Sequence, residues 1–242
     1  MIHTRGRHHG AHPATPMALV NAMATMIVVA LFVLTFVVQS YQIPSTSMED
    51  TLQVGDFLLV NKLVFSPAGL FRYLLPYRDP TDGDVILFHH PADPSLLLVK
   101  RVIGVPGDRI RMHRGVVVRN GVELTEPYAI RSASVTADRY RDNFPIGAAT
   151  DERVRTEWSA QLVRDAQNGE FVVPPGGYFV MGDNRDVSLD SRYWGIVPRQ
   201  NIVGGPLFLY YSQDVLAGRD DKLGREREPL SSRFKRIFRV IH

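Results

Sequence analysis

The sequence predicts a mainly β, antiparallel domain that follows one membrane-spanning helix. Three observations lead to this expectation: a long apolar run near the N-terminus, short β-branched runs separated by turn residues, and a globular composition. Hydrophobic residues make up 45% and charged residues 22% of the 242 residues. These fractions are typical of a folded domain and argue against disorder.

The apolar run extends from Met17 to Val38 and contains no charged residue. At about 1.5 Å per residue, a helix of this length spans roughly 33 Å, enough to cross a hydrocarbon core of about 30 Å. A cleaved signal peptide is the alternative, but its apolar region is shorter and ends at a small-residue site. The following letters, VVQSYQIP, contain no A-x-A pattern. We therefore expect an uncleaved anchor.

The charges on either side of the run predict its orientation. Arg5 and Arg7 precede it, whereas Glu49, Asp50 and Asp56 come before the next base. This bias keeps the N-terminus in the cytoplasm. The expected organisation is a cytoplasmic tail (1–16), a transmembrane anchor (17–38) and an extracytoplasmic domain (39–242).

Composition excludes several classes of site. The chain has no cysteine, so disulfides, a thiolate nucleophile and a cysteine-ligated zinc site are ruled out. Lys plus Arg exceed Asp plus Glu by only 28 to 25, which is too small an excess to indicate nucleic-acid binding. The N-terminal tail holds four histidines that could bind a metal, but such a tract is usually incidental. We expect no cofactor, no metal and no nucleic-acid partner.

Six β-rich runs predict the strands of the exported domain. The fourth contains Asn120-Gly121, a dipeptide that favours a type I′ hairpin turn because both residues accept positive φ. The runs are DFLLVNKLVF, GDVILFHH, LLLVKRVIGVPGD, GVVVRNGVEL, GYFVMGDN and NIVGGPLFLYYS.

Helical periodicity is found in two places. The stretch from Glu152 to Gln167 has Trp158, Leu162 and Val163 roughly on one face. The tail SSRFKRIFRVIH, residues 231–242, has an i, i+3, i+4, i+7 apolar spacing that predicts an amphipathic basic helix. This tail folds back on the domain, is a solvated end, or lies on the membrane. The apolar residues of the loop at 66–77 belong either to the core or to a patch that dips into the membrane.

Three further segments carry residues suited to catalysis: PSTSM at 44–48, VKRVIGVPGD at 99–108 and MGDNRDVSLDSRYWGIVP at 181–198. Taken singly, the first is an ordinary linker, and the lysine of the second is typical of a surface residue. The third alone is typical of a polar loop or a metal site.

Together and in this order, the segments resemble the serine, lysine and third boxes of bacterial type I signal peptidase, the leader peptidase family of serine proteases with a Ser/Lys dyad. The resemblance covers about residues 17 to 212. Two positions depart from the family pattern: Asp50 stands where proline is common and Val187 where asparagine is common. Neither has an assigned catalytic role.

The resemblance implies a role for each matching residue. Ser47 is the nucleophile and Lys100 the general base. The Ser45 hydroxyl and the Ser47 backbone N–H bind the oxyanion, and Ser188 orients the lysine. The remaining matched residues support the site, one packing beneath it and four forming two ion pairs: Met48, Asp183 with Arg101, and Asp190 with Arg192.

The chemistry makes a demand on Lys100, because a lysine acts as a base only when it is neutral. With an ordinary pKa of ~10.4, the site must lower the pKa by roughly 3 units, which costs about 4 kcal/mol. Burial among apolar neighbours can do this. The flanking residues Leu97, Leu98, Val99, Val102 and Ile103 make such burial plausible.

The family resemblance also implies a fold, a substrate and a location. The catalytic domain would be an antiparallel β-sheet with a smaller β-rich insert at about residues 109–174. The substrates would be secretory preproteins cut after small-x-small sites. The protein would be a monomer in the cell (inner) membrane, in contact with lipid, with Ser47 within about 30 Å of the helix end at ~3.3 Å per residue.

Four other functions each match some part of the sequence. A histidine-based hydrolase could use His89 or His90 with Asp93. The letters SRFK at 232–235 match the S-x-x-K of penicillin-binding enzymes but lack its companion motifs. Self-cleaving repressor-type proteases share the dyad but bind DNA. A membrane-anchored scaffold without catalysis is the alternative from another class, and it would tolerate loss of Ser47.

Overall fold

The computed structural model describes residues 15–65, 77–132, 135–213 and 236–241. The chain divides into two compact units, residues 1–37 and 38–242, and each is described by itself.

The first unit contains one apolar helix. Helix α1 spans Pro16–Phe32 and continues as a π-helical turn at Val33–Val37. Thr15 caps it by accepting a hydrogen bond from the Ala18 N–H at 3.3 Å, and proline at the first position fits because that N–H has no helical partner. Among the described residues, Pro16–Val37 is the one helical segment long and apolar enough to cross a membrane. Its first and last residues each differ by one position from those of the predicted anchor, residues 17–38.

The second unit is built on a seven-stranded sheet in which every pairing is antiparallel. Numbered along the chain, its strands are β1 (Val38–Gln42), β2 (Asp56–Asn61), β3 (Val85–His89), β4 (Leu97–Gly104), β9 (Gly177–Met181), β10 (Val197–Pro198) and β11 (Ile202–Ser212). The spatial order is β1-β2-β11-β3-β4-β9-β10. The predicted antiparallel β class is confirmed.

A second sheet has four strands: β5 (Arg109–His113), β6 (Val116–Arg119), β7 (Val122–Glu123) and β8 (Phe171–Val172), in the order β7-β6-β5-β8. Asn120 and Gly121 join β6 to β7 with φ of 53° and 80°, and Arg119 pairs with Val122 across the turn. This is the predicted two-residue hairpin.

The two sheets share one hydrophobic core. Buried residues of both belong to a single cluster, including Phe88 and Phe179 from the first sheet and Ile110, Val117 and Phe171 from the second. A separate inserted domain at about 109–174 therefore stays a prediction.

The helix predicted from Glu152 is shorter than expected. Helix α2 spans Thr156–Asp165 and buries Trp158 and Leu162. Val163 is 69% exposed, so its assignment to the core face was wrong. At 100° per residue it lies about 140° around the helix from Trp158. The described residues of this unit also form a short helix α3 (Ser191–Trp194) and 3₁₀ turns at Thr46–Met48, Ala148–Thr150 and Arg199–Asn201.

The C-terminal residues 236–241 do not form the predicted amphipathic helix. Arg236–Phe238 make a turn, and Val240 forms an antiparallel bridge with Phe208 of β11. Ile237 packs against buried core residues. Pairing with a strand competes with helix formation for the same backbone groups, and here residues 236–241 fold back on the domain. Residues 231–235 and 242 lie outside the described residues, as do 66–76 of the apolar loop.

Strand β1 was not predicted, because its residues were assigned to the anchor's end and a linker. Its register with β2 runs from Val38 opposite Asn61 to Gln42 opposite Phe57. A second buried cluster lies beside this pairing and includes Ile43, Met48 and Leu52. Met48, a member of this cluster, directly follows the segment that contains Ser45 and Ser47.

Candidate active site

The serine pair lies where the chain leaves β1 and turns into a 3₁₀ helix. Ser45 has extended backbone angles and precedes the helical residues Thr46–Met48. Ser47 is 9% exposed and Met48 is buried beneath it in the core. The Ser45 and Ser47 hydroxyl oxygens lie 3.2 Å apart.

Lys100 reaches Ser47 from the middle of the sheet. It lies on β4, opposite Ile86 of β3, and is 2% exposed. Its Nζ donates hydrogen bonds to Ser47 Oγ at 2.5 Å and to the Val99 carbonyl at 3.1 Å. The surface-residue alternative for this lysine is therefore wrong.

The surroundings of Lys100 have opposing effects on its pKa. Burial lowers the pKa of Lys100 to about 8, because a charged amine is poorly solvated there. The carboxylates of Asp190 and Asp183 raise this pKa, and the Arg192 guanidinium lowers it. Burial has the largest effect, so the net shift favours the neutral amine.

The third segment packs against the nucleophile segment through its backbone. The Asn184 N–H donates to the Ser47 carbonyl at 3.0 Å. Gly182 allows this approach, since a Cβ there would lie 2.4 Å from the Ser47 carbonyl oxygen and 2.3 Å from Ser188 Oγ. A side chain at this position would push the two segments apart.

Arg101 and Asp183 form a buried two-pronged ion pair. The Arg101 Nε and Nη2 donate to the two Asp183 oxygens at 2.9 and 2.8 Å, and both side chains are almost fully buried. The Thr51 hydroxyl also donates to Asp183, at 2.6 Å. The pair thus connects the strand that carries Lys100 with the third segment and with the turn after Ser47.

Asp190 and Arg192 form the second buried pair, at 2.8 Å for each of two hydrogen bonds. Asp190 also accepts from the Gly182 N–H at 3.1 Å, and Arg192 donates to the Arg185 carbonyl at 2.8 Å. Burial raises the pKa of Asp190, but the Arg192 guanidinium and the Gly182 N–H lower it, and the net shift is downward. The pair holds the third segment folded on itself.

Ser188 is buried near these groups, but its contact with the lysine is not formed. Among the described residues, no atom meets hydrogen-bond geometry with Ser188 Oγ. The structure therefore brings Ser47 into direct contact with both Ser45 and Lys100 and leaves Ser188 nearby without a contact to the lysine.

The sequence patterns did not predict two further side-chain contacts near the site. Glu126 and Arg185 form a buried ion pair with hydrogen bonds of 2.7 and 2.5 Å, and the Tyr128 ring stacks on Arg101 with 4.0 Å between Cζ and the ring centroid. Glu126 and Arg185 are 59 residues apart, and no local pattern in the sequence pairs them. Only the fold brings them together.

The histidine alternative receives no support from the geometry. The His90 Nδ1 accepts from the Ala92 and Asp93 N–H groups, and the His89 Nδ1 contacts the Pro94 carbonyl at 2.7 Å. Both rings therefore serve the turn between β3 and β4. The S-x-x-K match at 232–235 lies outside the described residues.

Comparison with known proteins identifies the family of this chain. The family model described as "Signal peptidase, peptidase S26" matches residues 17–211. A signal peptidase I of Pseudomonas fluorescens is 37% identical over 204 residues, covering 76% of this chain and 68% of that protein. A signal peptidase I of Aquifex aeolicus is 34% identical over 220 residues, covering 78% and 82%.

A crystal structure of a signal peptidase I from Enterococcus faecalis V583 is 30% identical and covers 53% of this chain and 97% of its own, with a TM-score of 0.39. That score is too low to support an argument about the fold. The matches to the family model and to the relatives from Pseudomonas fluorescens and Aquifex aeolicus establish the family without it. The chain belongs to the signal peptidase family, peptidase S26, the serine endopeptidases that remove signal peptides.

Proposed function

We propose that this chain removes N-terminal signal peptides from exported preproteins after small-x-small sites, with Ser47 as nucleophile and Lys100 as general base. The observation that carries the proposal is the 2.5 Å contact between Lys100 Nζ and Ser47 Oγ within a buried site. A direct contact of this kind lets a proton pass without an intervening water.

The lowered pKa of Lys100 supports its role as base. At a pKa of about 8, about one lysine in ten is neutral at pH 7, compared with about one in 2,500 for an ordinary lysine. The neutral amine takes the Ser47 proton as Oγ attacks the scissile carbonyl. The resulting ammonium then gives that proton to the leaving amine, and a water hydrolyses the acyl-enzyme in the second half of the reaction.

The oxyanion of the tetrahedral intermediate needs hydrogen-bond donors. The Ser47 N–H belongs to the first turn of the 3₁₀ helix, where N–H groups lack an intrahelical acceptor. The Ser45 hydroxyl lies 3.2 Å from the nucleophile oxygen. We assign the oxyanion to these two groups, each worth about 3–4 kcal/mol in the best cases.

The remaining predicted residues are assigned supporting roles. Ser188 would accept a hydrogen bond from the ammonium form of Lys100, which has three donors and uses two in the structure. Met48 supports Ser47 from below, and the ion pairs of Arg101 with Asp183 and of Asp190 with Arg192 hold the segments together. None of these four charged groups transfers the proton.

A narrow cleft beside the serine pair suits a small substrate side chain. It has a cavity volume of about 10 Å³ and is mostly apolar, so a small residue fits better than a charged one. Its lining consists of Tyr41, Ile43, Pro44, Ser45, Ser47, Met48, Leu98 and Val99. A preprotein would lie here as an extended strand, with backbone hydrogen bonds to the site.

The membrane arrangement is part of the same proposal. The segment Pro16–Val37 would cross the cell (inner) membrane once, with residues 1–16 in the cytoplasm and the catalytic domain outside, in contact with lipid. The protein would act as a monomer. An insert at about 109–174, which contains the second sheet, would complete the catalytic domain.

The decisive experiment compares the full-length protein with Ser47→Ala and Lys100→Met variants, using a purified preprotein as substrate. Each variant should lose about 10⁴-fold or more in cleavage rate while keeping a cooperative thermal melt. Ser95→Ala, in the exposed turn between β3 and β4, is the matched control and should keep normal activity. Near-normal cleavage by either folded dyad variant would disprove the mechanism. If the unmodified protein cleaves no preprotein, the result would favour a scaffold, whose task Ser47→Ala would leave intact.

A further inference from the structure

The C-terminal segment, residues 236–241, lies against the same part of the domain as the nucleophile segment. The Phe238 N–H donates to the Leu209 carbonyl at 2.7 Å, and the Leu209 N–H donates to the Arg239 carbonyl at 3.2 Å. Ile237 and Ile241 pack on the buried cluster that contains Met48. The segment is therefore fixed by both its backbone and its apolar side chains.

Arg236 is the first residue of this segment, and its side chain points into the domain. Its Nη2 donates to Asp56 Oδ2 at 2.9 Å and to the Thr51 carbonyl at 3.3 Å. The Arg236 side chain is 12% exposed and that of Asp56 is fully buried. A buried carboxylate needs a positive partner or several donors, and Arg236 supplies the positive charge.

Asp56 uses its other hydrogen bonds to hold the turn between Ser47 and β2. Its Oδ2 also accepts from the Gln53 N–H at 2.8 Å, and its Oδ1 accepts from the Ser212 hydroxyl at 2.7 Å. The Gly55 N–H donates to the Ile43 carbonyl at 3.0 Å, which closes the base of the turn. The hydrogen bonds of Arg236 and Asp56 thus hold residues 51–56 in place.

That turn is joined to both members of the proposed dyad. On the nucleophile side, the Leu52 N–H donates to the Met48 carbonyl at 2.7 Å. On the base side, the Thr51 hydroxyl donates to Asp183 at 2.6 Å, and Asp183 pairs with Arg101, the residue after Lys100. A displacement of Thr51 would therefore be transmitted to both sides of the Ser47–Lys100 contact.

We propose that Arg236 is a positioning residue of the active site, which holds Ser47 against Lys100 through Thr51 and Asp56. This inference rests on the proposed function, in which those two residues form the catalytic dyad. It gives the C-terminal segment a role in catalysis, although Arg236 touches no reacting atom. A misplacement of about 1 Å in a catalytic group can cost about 100-fold in rate.

The test measures preprotein cleavage by the full-length protein and its Arg236→Ala variant at a temperature where melting curves show both fully folded. We expect kcat to fall about 10-fold to 100-fold with KM nearly unchanged, because Arg236 lies outside the substrate cleft. Arg236→Lys, which keeps the charge, should recover part of kcat. Arg239→Ala is the matched control, since Arg239 is an exposed arginine of the same segment, and it should keep the normal kcat.

A double variant separates positioning from stability. Arg236→Met with Asp56→Asn removes both charges, so no unpaired carboxylate stays buried. The double variant should therefore have a melting temperature close to that of the unmodified protein. Its kcat should nevertheless stay low, because the contact with the Thr51 carbonyl is lost. A normal kcat in the folded double variant would overturn the proposal, as would equal losses in the Arg236→Ala and Arg239→Ala proteins.

The two proposals fail in different ways. If Ser47→Ala cleaves preproteins normally, the dyad itself is wrong. If Ser47→Ala is inactive while folded Arg236→Ala has a normal kcat, the dyad stands and the positioning role of Arg236 is excluded.

Discussion

Lys100 Nζ and Ser47 Oγ lie 2.5 Å apart although 53 residues separate them in the chain. Both side chains are buried, and the lysine also donates to the carbonyl of its neighbour Val99. Its amine is thus aimed at the serine before any substrate arrives. Burial and direct contact together have consequences that can be measured.

The first prediction concerns the pH dependence of cleavage. Burial lowers the pKa of Lys100 to about 8, and only the neutral amine can accept the serine proton. We expect kcat/KM to rise about tenfold per pH unit below this value and to level off above it. The profile should be recorded from about pH 6 to pH 10, with and without a chelator. A flat profile would argue against a lysine base, and inhibition by the chelator would indicate a metal.

The second prediction concerns stability. The pKa of Lys100 is about 8 in the folded state against 10.5 for an ordinary lysine, so between these values the unfolded chain binds more protons and stability increases with pH. Below about pH 8 the Lys100 amine is charged in the folded state, so the free energy of unfolding is lowered by the full cost of burying that charge. Lys100→Met should therefore be more stable at pH 7 by up to about 3 kcal/mol, with the difference shrinking towards pH 10.5.

Denaturant unfolding of both proteins at neutral and alkaline pH measures this difference. Lys62→Met is the control for the loss of a lysine elsewhere in the same unit. A constant difference between the unmodified protein and Lys100→Met at all pH values would contradict the proposed cost of burial.

The third prediction concerns the oxyanion. Removing the Ser45 hydroxyl by Ser45→Ala should lower kcat about 10²-fold to 10³-fold with little change in KM, because the donor acts on charge that develops only in the transition state. Ser45→Thr keeps a hydroxyl and should retain more activity than Ser45→Ala. Steady-state kinetics on a preprotein measures both. A change confined to KM would instead assign Ser45 to substrate binding.

The fourth prediction uses the close contact at Gly182. Gly182→Ala would bring a methyl group to 2.4 Å from the Ser47 carbonyl oxygen and 2.3 Å from Ser188 Oγ, so the nucleophile segment must shift. We expect a loss of kcat of about 100-fold or more and a lower melting temperature. Gly104→Ala is the control, because the three atoms nearest to its methyl group would be side-chain carbons of Ile110 and Val173, at 2.9 to 3.1 Å, and none belongs to the nucleophile segment. Equal activity of the two variants would contradict this account.

The sequence by itself determined the features that depend on neighbouring residues. A long apolar run without charges predicted the helical segment at Pro16–Val37, and Asn120-Gly121 predicted a hairpin turn with positive φ at both positions. The six β-rich runs contain β2, β3, β4, β6, β7, β9 and β11. Such patterns are local, because periodicity and turn chemistry act within a few residues.

Local patterns failed where pairing with a distant strand decided the structure. The residues of β1 form a strand because β2 is available beside them. Residues 236–241 have helical apolar spacing but turn and bridge to β11, so that Phe238 is 74% exposed. In both cases tertiary hydrogen bonds outweighed the local preference.

Only the tertiary structure decided the state of the site. The order of the three segments pointed to Ser47 and Lys100, but burial of the amine depends on strands and loops from the whole domain. The same is true of the Glu126–Arg185 pair and of the contact between Arg236 and Asp56, which are 180 residues apart. Solvation of a charge depends on everything packed around it, and that environment forms only when the chain folds.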